Sequence, residues 1–163
     1  MKSILSVLVE NKAGILARTA GLFARRGFNI ESLAVGETSD PRVSRMTIVV
    51  DGDQSIIGQV EKQLNKQIDV IKVRALSADE AVCREAALIK VKADADVRGQ
   101  ITDIANIMKA SIVDLSATTA TLEFIDTPER VRQLLGLLAP YGIAEMARTG
   151  TVAILKGAAA INL

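Results

Sequence analysis

Apolar residues along this chain recur with two periods, and the switches between them mark out its elements. Residues 4–9 are almost continuously apolar over strand length, and the run ends at the polar, turn-prone Glu10-Asn11-Lys12-Ala13-Gly14. From Ile15 the spacing becomes helical. Ile15, Leu16, Thr19, Ala20, Leu22 and Phe23 form one stripe, with Arg18, Arg25 and Arg26 away from it. Gly27 supplies the stop, because a helix exit with positive φ is least costly at glycine. Residues 30–35 and 43–50 are two more strand candidates, separated by Gly36-Glu37-Thr38-Ser39-Asp40-Pro41, whose Asp-Pro step marks a turn. Asp53 is placed to cap a second helix with the stripe Ile56, Ile57, Val60 and Leu64, and residues 70–73 read as a fourth strand.

The polar Ser77-Ala78-Asp79-Glu80 then interrupts the pattern, after which the same order returns. Residues 87–91 predict a strand, and Val97, Ile101, Ile104 and Met108 a helix. Residues 112–115 and 121–125 predict two strands. Thr127-Pro128-Glu129 has the form of a helix start, with Thr127 as cap, proline in the first turn and an acid where the helix dipole favours it. Val131, Leu134, Leu135 and Leu138 are that helix's stripe, and Pro140 marks its end. Residues 143–146 predict a further strand and 151–155 a fifth, while the small apolar tail from 157 onward is expected to be loosely held.

Each half therefore reads βαββαβ, the order of a ferredoxin-like fold: an antiparallel sheet with both helices on one face, since each helix has a single apolar stripe to cover. The fold class expected is α+β, with two tandem modules at residues 1–76 and 83–163 and a linker at 77–82. The 163 residues suit two small modules, each of which buries about 60–65% of its unfolded surface, a fraction at which partners commonly help.

Composition narrows the function more by exclusion than by signature. The net charge of +1 is spread along the chain, so no basic face is available for phosphates, and Phe23, Phe28, Phe124 and Tyr141 are too scattered for base stacking. Nucleic-acid binding is not expected. No apolar run reaches a membrane span and no signal peptide is apparent, so the expectation is a cytoplasmic protein. The absence of histidine removes the imidazole triads, histidine metal sites and imidazole acid–base chemistry. Cys83, alone, reads as an inert thiol.

The loop Asn11-Lys12-Ala13-Gly14, entering a helix at Ile15-Leu16, is the leading candidate site. Helix-start N–H groups are unsatisfied and electropositive and can hold a carboxylate. Gly14 permits close approach to the backbone, and Asn11 both donates and accepts, matching the ammonium and carboxylate of an α-amino acid. The alternative is a turn that Asn11 and Gly14 merely shape, and on the residues alone that alternative is favoured. Asn29, beside Ile30 at the second strand's start, reads as a turn residue or as a second polar contact. Arg45 is expected to pair with an acid on a neighbouring strand. Lys90 and Lys92 are expected on the wet face of a half-buried strand, and Glu85, Asp94, Asp96 and Asp103 lack any metal-loop spacing.

Three stretches go beyond such mechanics. They are Ile4-Leu5-Ser6-Val7-Leu8-Val9-Glu10-Asn11-Lys12-Ala13-Gly14-Ile15-Leu16, then Gly21-Leu22-Phe23-Ala24-Arg25-Arg26-Gly27-Phe28-Asn29-Ile30-Glu31-Ser32-Leu33, then Ser44-Arg45-Met46-Thr47-Ile48. With Arg84-Glu85, Asp114 and Ala147-Arg148-Thr149-Gly150 they resemble the small regulatory subunits of acetolactate synthase, or acetohydroxyacid synthase, over nearly the whole chain. The resemblance implies an N-terminal ACT domain and a C-terminal ACT-like domain. It also implies a homodimer that binds valine, or another branched-chain amino acid, between protomers. Carried over by position, Asn11, Gly14, Ile15 and Leu16 come from one protomer and Asn29 and Ile30 from the other. It further implies that this chain is non-catalytic and holds no cofactor. Thiamine diphosphate, Mg²⁺ and FAD would sit on a separate large catalytic subunit that makes 2-acetolactate from two pyruvates in branched-chain amino acid biosynthesis. This chain would activate that subunit and confer feedback inhibition. A free-standing ACT-type sensor of another enzyme or of transcription is the competing reading, and no helix-turn-helix tandem accompanies it.

Overall fold

The computed structural model describes residues 2–162; the outermost positions of the two expected modules, 1 and 163, lie outside it. The chain forms two units, one of residues Met1–Val82 with Thr151–Leu163, the other of Cys83–Gly150.

In the first unit, β1 (Lys2–Glu10), α1 (Ile15–Arg25), β2 (Ile30–Glu37), β3 (Val43–Asp51), α2 (Gln54–Leu64) and β4 (Val70–Leu76) follow one another as the periodicity predicts. The strands pair antiparallel in the order β2-β3-β1-β4. Odd-numbered residues of β1 and even-numbered residues of β3 share the face toward the helices. There Leu5, Val7, Val9, Met46, Ile48 and Val50 pack with Ile15, Leu22 and Phe23 of α1 and Ile57, Val60 and Leu64 of α2. Asp53 caps α2, its carboxylate accepting from the Ile56 N–H at 2.9 Å.

The exit of α1 is a Schellman motif. Gly27 has φ 70°, its N–H bonds to Ala24 O, and the Phe28 N–H bonds to Phe23 O. The two phenyl rings meet edge to face, with centroids 6.5 Å apart, which is the apolar contact that usually accompanies this motif.

The second unit repeats the topology with β5 (Ala81–Lys92), α3 (Ala95–Met108), β6 (Ser111–Leu115), β7 (Thr119–Asp126), α4 (Pro128–Leu138) and β8 (Ile143–Arg148). Its strand order is β6-β7-β5-β8, and a fifth strand, β9 (Val152–Leu155), pairs with β5 off this path. The core unites Ala87, Ile89, Val91, Leu122 and Phe124 with Ile101, Ala105 and Met108 of α3 and Val131, Leu134 and Leu138 of α4. Thr127 caps α4 as expected, through the Arg130 N–H. The helix ends at Leu138, and Pro140 lies within a 3-10 turn, Ala139–Tyr141. Lys90 pairs with Glu145 across the sheet, in line with a wet face.

Three expectations change. The polar stretch 77–82 is not wholly a linker, because β5 already begins at Ala81. Among the described residues Arg45 pairs with no acid: its Nη2 donates to Ala153 O at 2.8 Å. The strand expected at 151–155 is β9, which pairs with β5 as the expected fifth strand, but it and the tail after it fall in the first unit, and the tail is held rather than loose. Thr151, Ala153, Leu155 and Ile161 are buried, and Asn162 O accepts from Lys72 Nζ. These segments lie against the sheet face opposite the helices, where Arg45 and Lys72 both stand in register with Leu8.

Candidate functional site

The loop from Asn11 to Gly14 is held by hydrogen bonds to β3's entry and to the turn before it. The Asn11 N–H donates to Arg42 O at 2.7 Å, and its side-chain amide donates to Pro41 O at 2.8 Å and to Glu37 Oε1 at 3.1 Å. Both amide protons are thus committed within the chain. What Asn11 retains toward a ligand is its acceptor oxygen, suited to an ammonium group, with the Glu37 carboxylate alongside. The sequence reading did not single out Glu37. Its signal was position alone, at the end of β2 facing a loop far away in sequence.

Gly14 takes the left-handed conformation, φ 86°, and a side chain added there would meet nothing within 4 Å. Its carbonyl accepts from the Arg18 N–H and closes the first turn of α1. No side chain caps this helix and no acid lies in its first turn. By contrast α2 is capped by Asp53, α4 by Thr127, and α3 carries Asp96 in its first turn. The first-turn N–H groups of α1 therefore keep their positive potential for an outside anion. Ile15 is buried in the core, whereas Leu16 is 46% exposed and presents apolar surface beside those donors.

Neighbouring charges leave this end balanced. Lys12 pairs with Glu10, which raises the lysine's pKa, and Arg18 pairs with Asp69. The turn that receives Asn11 is tied by Asp40, whose carboxylate takes the Arg42 guanidinium through Nε at 3.0 Å and Nη2 at 2.7 Å and also accepts the Arg42 N–H. These bonds lower the Asp40 pKa from 3.8 to about 2. Because the folded value is depressed, the turn gains from the carboxylate above pH 3.8 and loses that gain as pH falls through about 2. In an NMR titration Asp40 is expected to have its midpoint near 2, and Arg42→Met to move it toward 3.8. An unchanged midpoint would show that the arginine does not set it.

The structure gathers Asn11, Gly14, Ile15 and Leu16 at one end of α1 and places Asn29 and Ile30 past the other. An eleven-residue helix is about 16 Å long, so within one chain the two groups are separated by more than a small ligand spans. Asn29 is exposed, and Ile30 is half-buried at the start of an edge strand.

A βαββαβ unit with both helices on one face is the ferredoxin-like arrangement that ACT-type domains share. Consistent with this, residues 5–72 match the family described as the AHAS small subunit-like ACT domain, and residues 84–157 match the family described as the small subunit of acetolactate synthase. The acetolactate synthase small subunit of Mycolicibacterium smegmatis is 53% identical over 94% of this chain and 90% of that protein. A probable acetolactate synthase small subunit of Archaeoglobus fulgidus is 50% identical over 96% of this chain and 98% of its own. The crystal structure of the acetolactate synthase small subunit from Thermotoga maritima superposes with a TM-score of 0.90 at 39% identity, covering 96% of this chain and 98% of that one. This chain belongs to the acetolactate synthase small subunit family.

Among the described residues no helix is long and apolar enough to cross a membrane.

Proposed function

We propose that this chain is the cytoplasmic regulatory subunit that activates a separate, thiamine-diphosphate-dependent acetolactate synthase catalytic subunit and makes it subject to feedback inhibition by valine. Thiamine diphosphate, Mg²⁺ and FAD belong to that catalytic chain, which joins two pyruvates into 2-acetolactate with loss of CO2. The observation that carries the ligand part is the start of α1, uncapped and free of acids, beside a glycine at φ 86° and the Asn11 acceptor. A valine carboxylate is held by the first-turn N–H groups. Its ammonium is taken by Asn11 Oδ1, and its isopropyl group lies against Leu16.

The second half of the site comes from another copy of the chain, because Asn29 and Ile30 lie about one α1 length away. A homodimer with valine at its interface follows. Valine inhibits only if it binds the less-activating arrangement more tightly, and by reciprocity association with the catalytic subunit then weakens valine binding. A methylene in an apolar pocket is worth about 1–3 kcal/mol, so leucine and isoleucine compete with valine within a few hundredfold. In the second module Asp94 and Asp96 stand where the Asn-to-Gly loop would be, and their charge disfavours a carboxylate, leaving that module to packing and partner contact.

The test is reconstitution. The purified chain is mixed with the catalytic subunit and acetolactate formation is followed with and without valine. The expected result is no activity from this chain alone, a severalfold gain for the mixture, and loss of that gain with valine. A mixture no faster than the catalytic subunit alone would refute the regulatory reading, and activation indifferent to all three branched-chain amino acids would refute the ligand.

A further inference from the structure

The first unit takes in residues that follow the second unit in the sequence. Residues 151–162 cross the sheet face that the helices leave open, meeting its strands in spatial order. The Thr151 N–H reaches Ser32 Oγ on β2 at 3.5 Å, Ala153 O takes Arg45 Nη2 of β3, and Asn162 O takes Lys72 Nζ of β4. At the near edge the Lys156 N–H donates to Glu80 O and its Nζ to Asp79 O. Residues 151, 153 and 155 point inward with strand period, and Ile161 adds a second anchor, while residues 156–160 are exposed.

The seat beneath is poorly satisfied. Ser6, fully buried on this face, has an Oγ without a hydrogen-bond partner, and Arg45 Nε is likewise buried and unpaired. Burial also pushes the Arg45 guanidinium below its ordinary pKa. A buried polar group without a partner favours exchange with a state in which water reaches it. What holds the segment is the pairing of β9 with β5 and three apolar anchors, Ala153, Leu155 and Ile161, set against the backbone freedom that a dozen ordered residues lose. The contacts also fall on the strands that matter to the proposed site: Ser32 lies two residues beyond Ile30, and Arg45 is in register with Gly36 of the same edge strand.

We infer that residues 151–162 are a releasable strap that braces β2 and β3 from behind, so that its seating or release sets the order of the edge carrying Asn29 and Ile30. Release frees Ser6 and Arg45 to water and leaves β2 with its pairing to β3 and its packing on the helix side, without support from behind. Seating fixes β2 on two sides. The consequence for valine affinity rests on the site proposed above; the bracing of β2 does not.

Hydrogen exchange on the full chain decides it. In the unmodified protein the amides of Ala153 and Leu155 are expected to exchange at least about a hundredfold faster than those of Leu5 and Ile48, the mark of an opening smaller than global unfolding. In Leu155→Asp/Ile161→Asp, trypsin is expected to cut after Lys156 and the β2 amides to exchange about tenfold faster, with those of Ile89 and Leu122 unchanged. Valine affinity by titration is expected to fall about tenfold in the same variant. Strap amides as protected as Ile48 in the unmodified protein would overturn the inference without any variant. So would a freed strap with β2 exchange unaltered. If the unmodified chain binds no valine, the ligand reading fails while the exchange of β2 still decides the strap.

Discussion

Replacing Gly14 by aspartate is expected to weaken valine binding by about a thousandfold while the chain still folds and still meets its catalytic partner. The new carboxylate stands where the ligand's own is proposed to lie. Two like charges about 4 Å apart near a protein surface repel by about 4 kcal/mol, which is about three powers of ten in affinity. Steric exclusion does not contribute, since a Cβ on Gly14 meets nothing within 4 Å. Backbone strain does, because φ is 86° and an L-residue in the left-handed region costs about 1–2 kcal/mol. Gly14→Asn separates the two effects: it carries the same strain and nearly the same shape without the charge. Titration of valine into both variants is expected to show Asn within about thirtyfold of the unmodified chain and Asp far below it. Equal losses would place the effect in the backbone, and an Asp variant with intact affinity would move the carboxylate pocket elsewhere.

The largest effect on stability is expected from Phe23→Ala. Phe23 is 1% exposed at the centre of the first core, and truncating a buried phenylalanine costs about 3–5 kcal/mol in lost transfer energy and residual cavity. The same change removes the edge-to-face contact with Phe28, which is worth about 0.5–1.5 kcal/mol more. Because the chain has two units, urea unfolding followed by residue-resolved exchange is the suitable measurement. Protection is expected to fall for Val7, Ile48 and Val60 and to persist for Ile89, Leu122 and Leu134. Uniform loss in both units would show that they unfold together. A cost under about 1 kcal/mol would show that the site collapses around the smaller side chain. Phe28 also immediately precedes Asn29, so this variant should loosen one half of the proposed ligand site as well.

Elements whose side chains obey one period were readable from the sequence. The stripe Ile57, Val60, Leu64 and the capping Asp53 define α2 almost to the residue, and Gly27 before Phe28 marks the exit of α1, because caps and stripes are local devices. β5 was read only from its regular half. Its first turn of alternation includes Glu85, a charged residue that is buried because Arg148, sixty-three positions on, pairs with it. No local pattern announces such a partner. Arg45 was misjudged for the same reason: its acceptor is a main-chain carbonyl 108 positions away, and carbonyls leave no trace in a sequence. Of the candidate site, the half at Asn11 and Gly14 is legible as a helix start lacking a cap. That Asn11 spends both amide protons inside its own chain is not, since it depends on where Glu37 and Pro41 fall after folding.

The order in which this chain is made differs from the order in which its parts fit together. A ribosome delivers residues 1–82 first, then the whole of the second unit, and only after it the segment 151–162, which meets Ser32, Arg45 and Lys72. At roughly 5–20 residues per second, the newborn first sheet keeps one side bare for several seconds. During that interval the apolar residues on that side, Leu8 and Val49 among them, are open to chance adhesion, and the polar ones beside them, Ser6, Arg45 and Lys72, keep the surface wettable until residues 151–162 arrive.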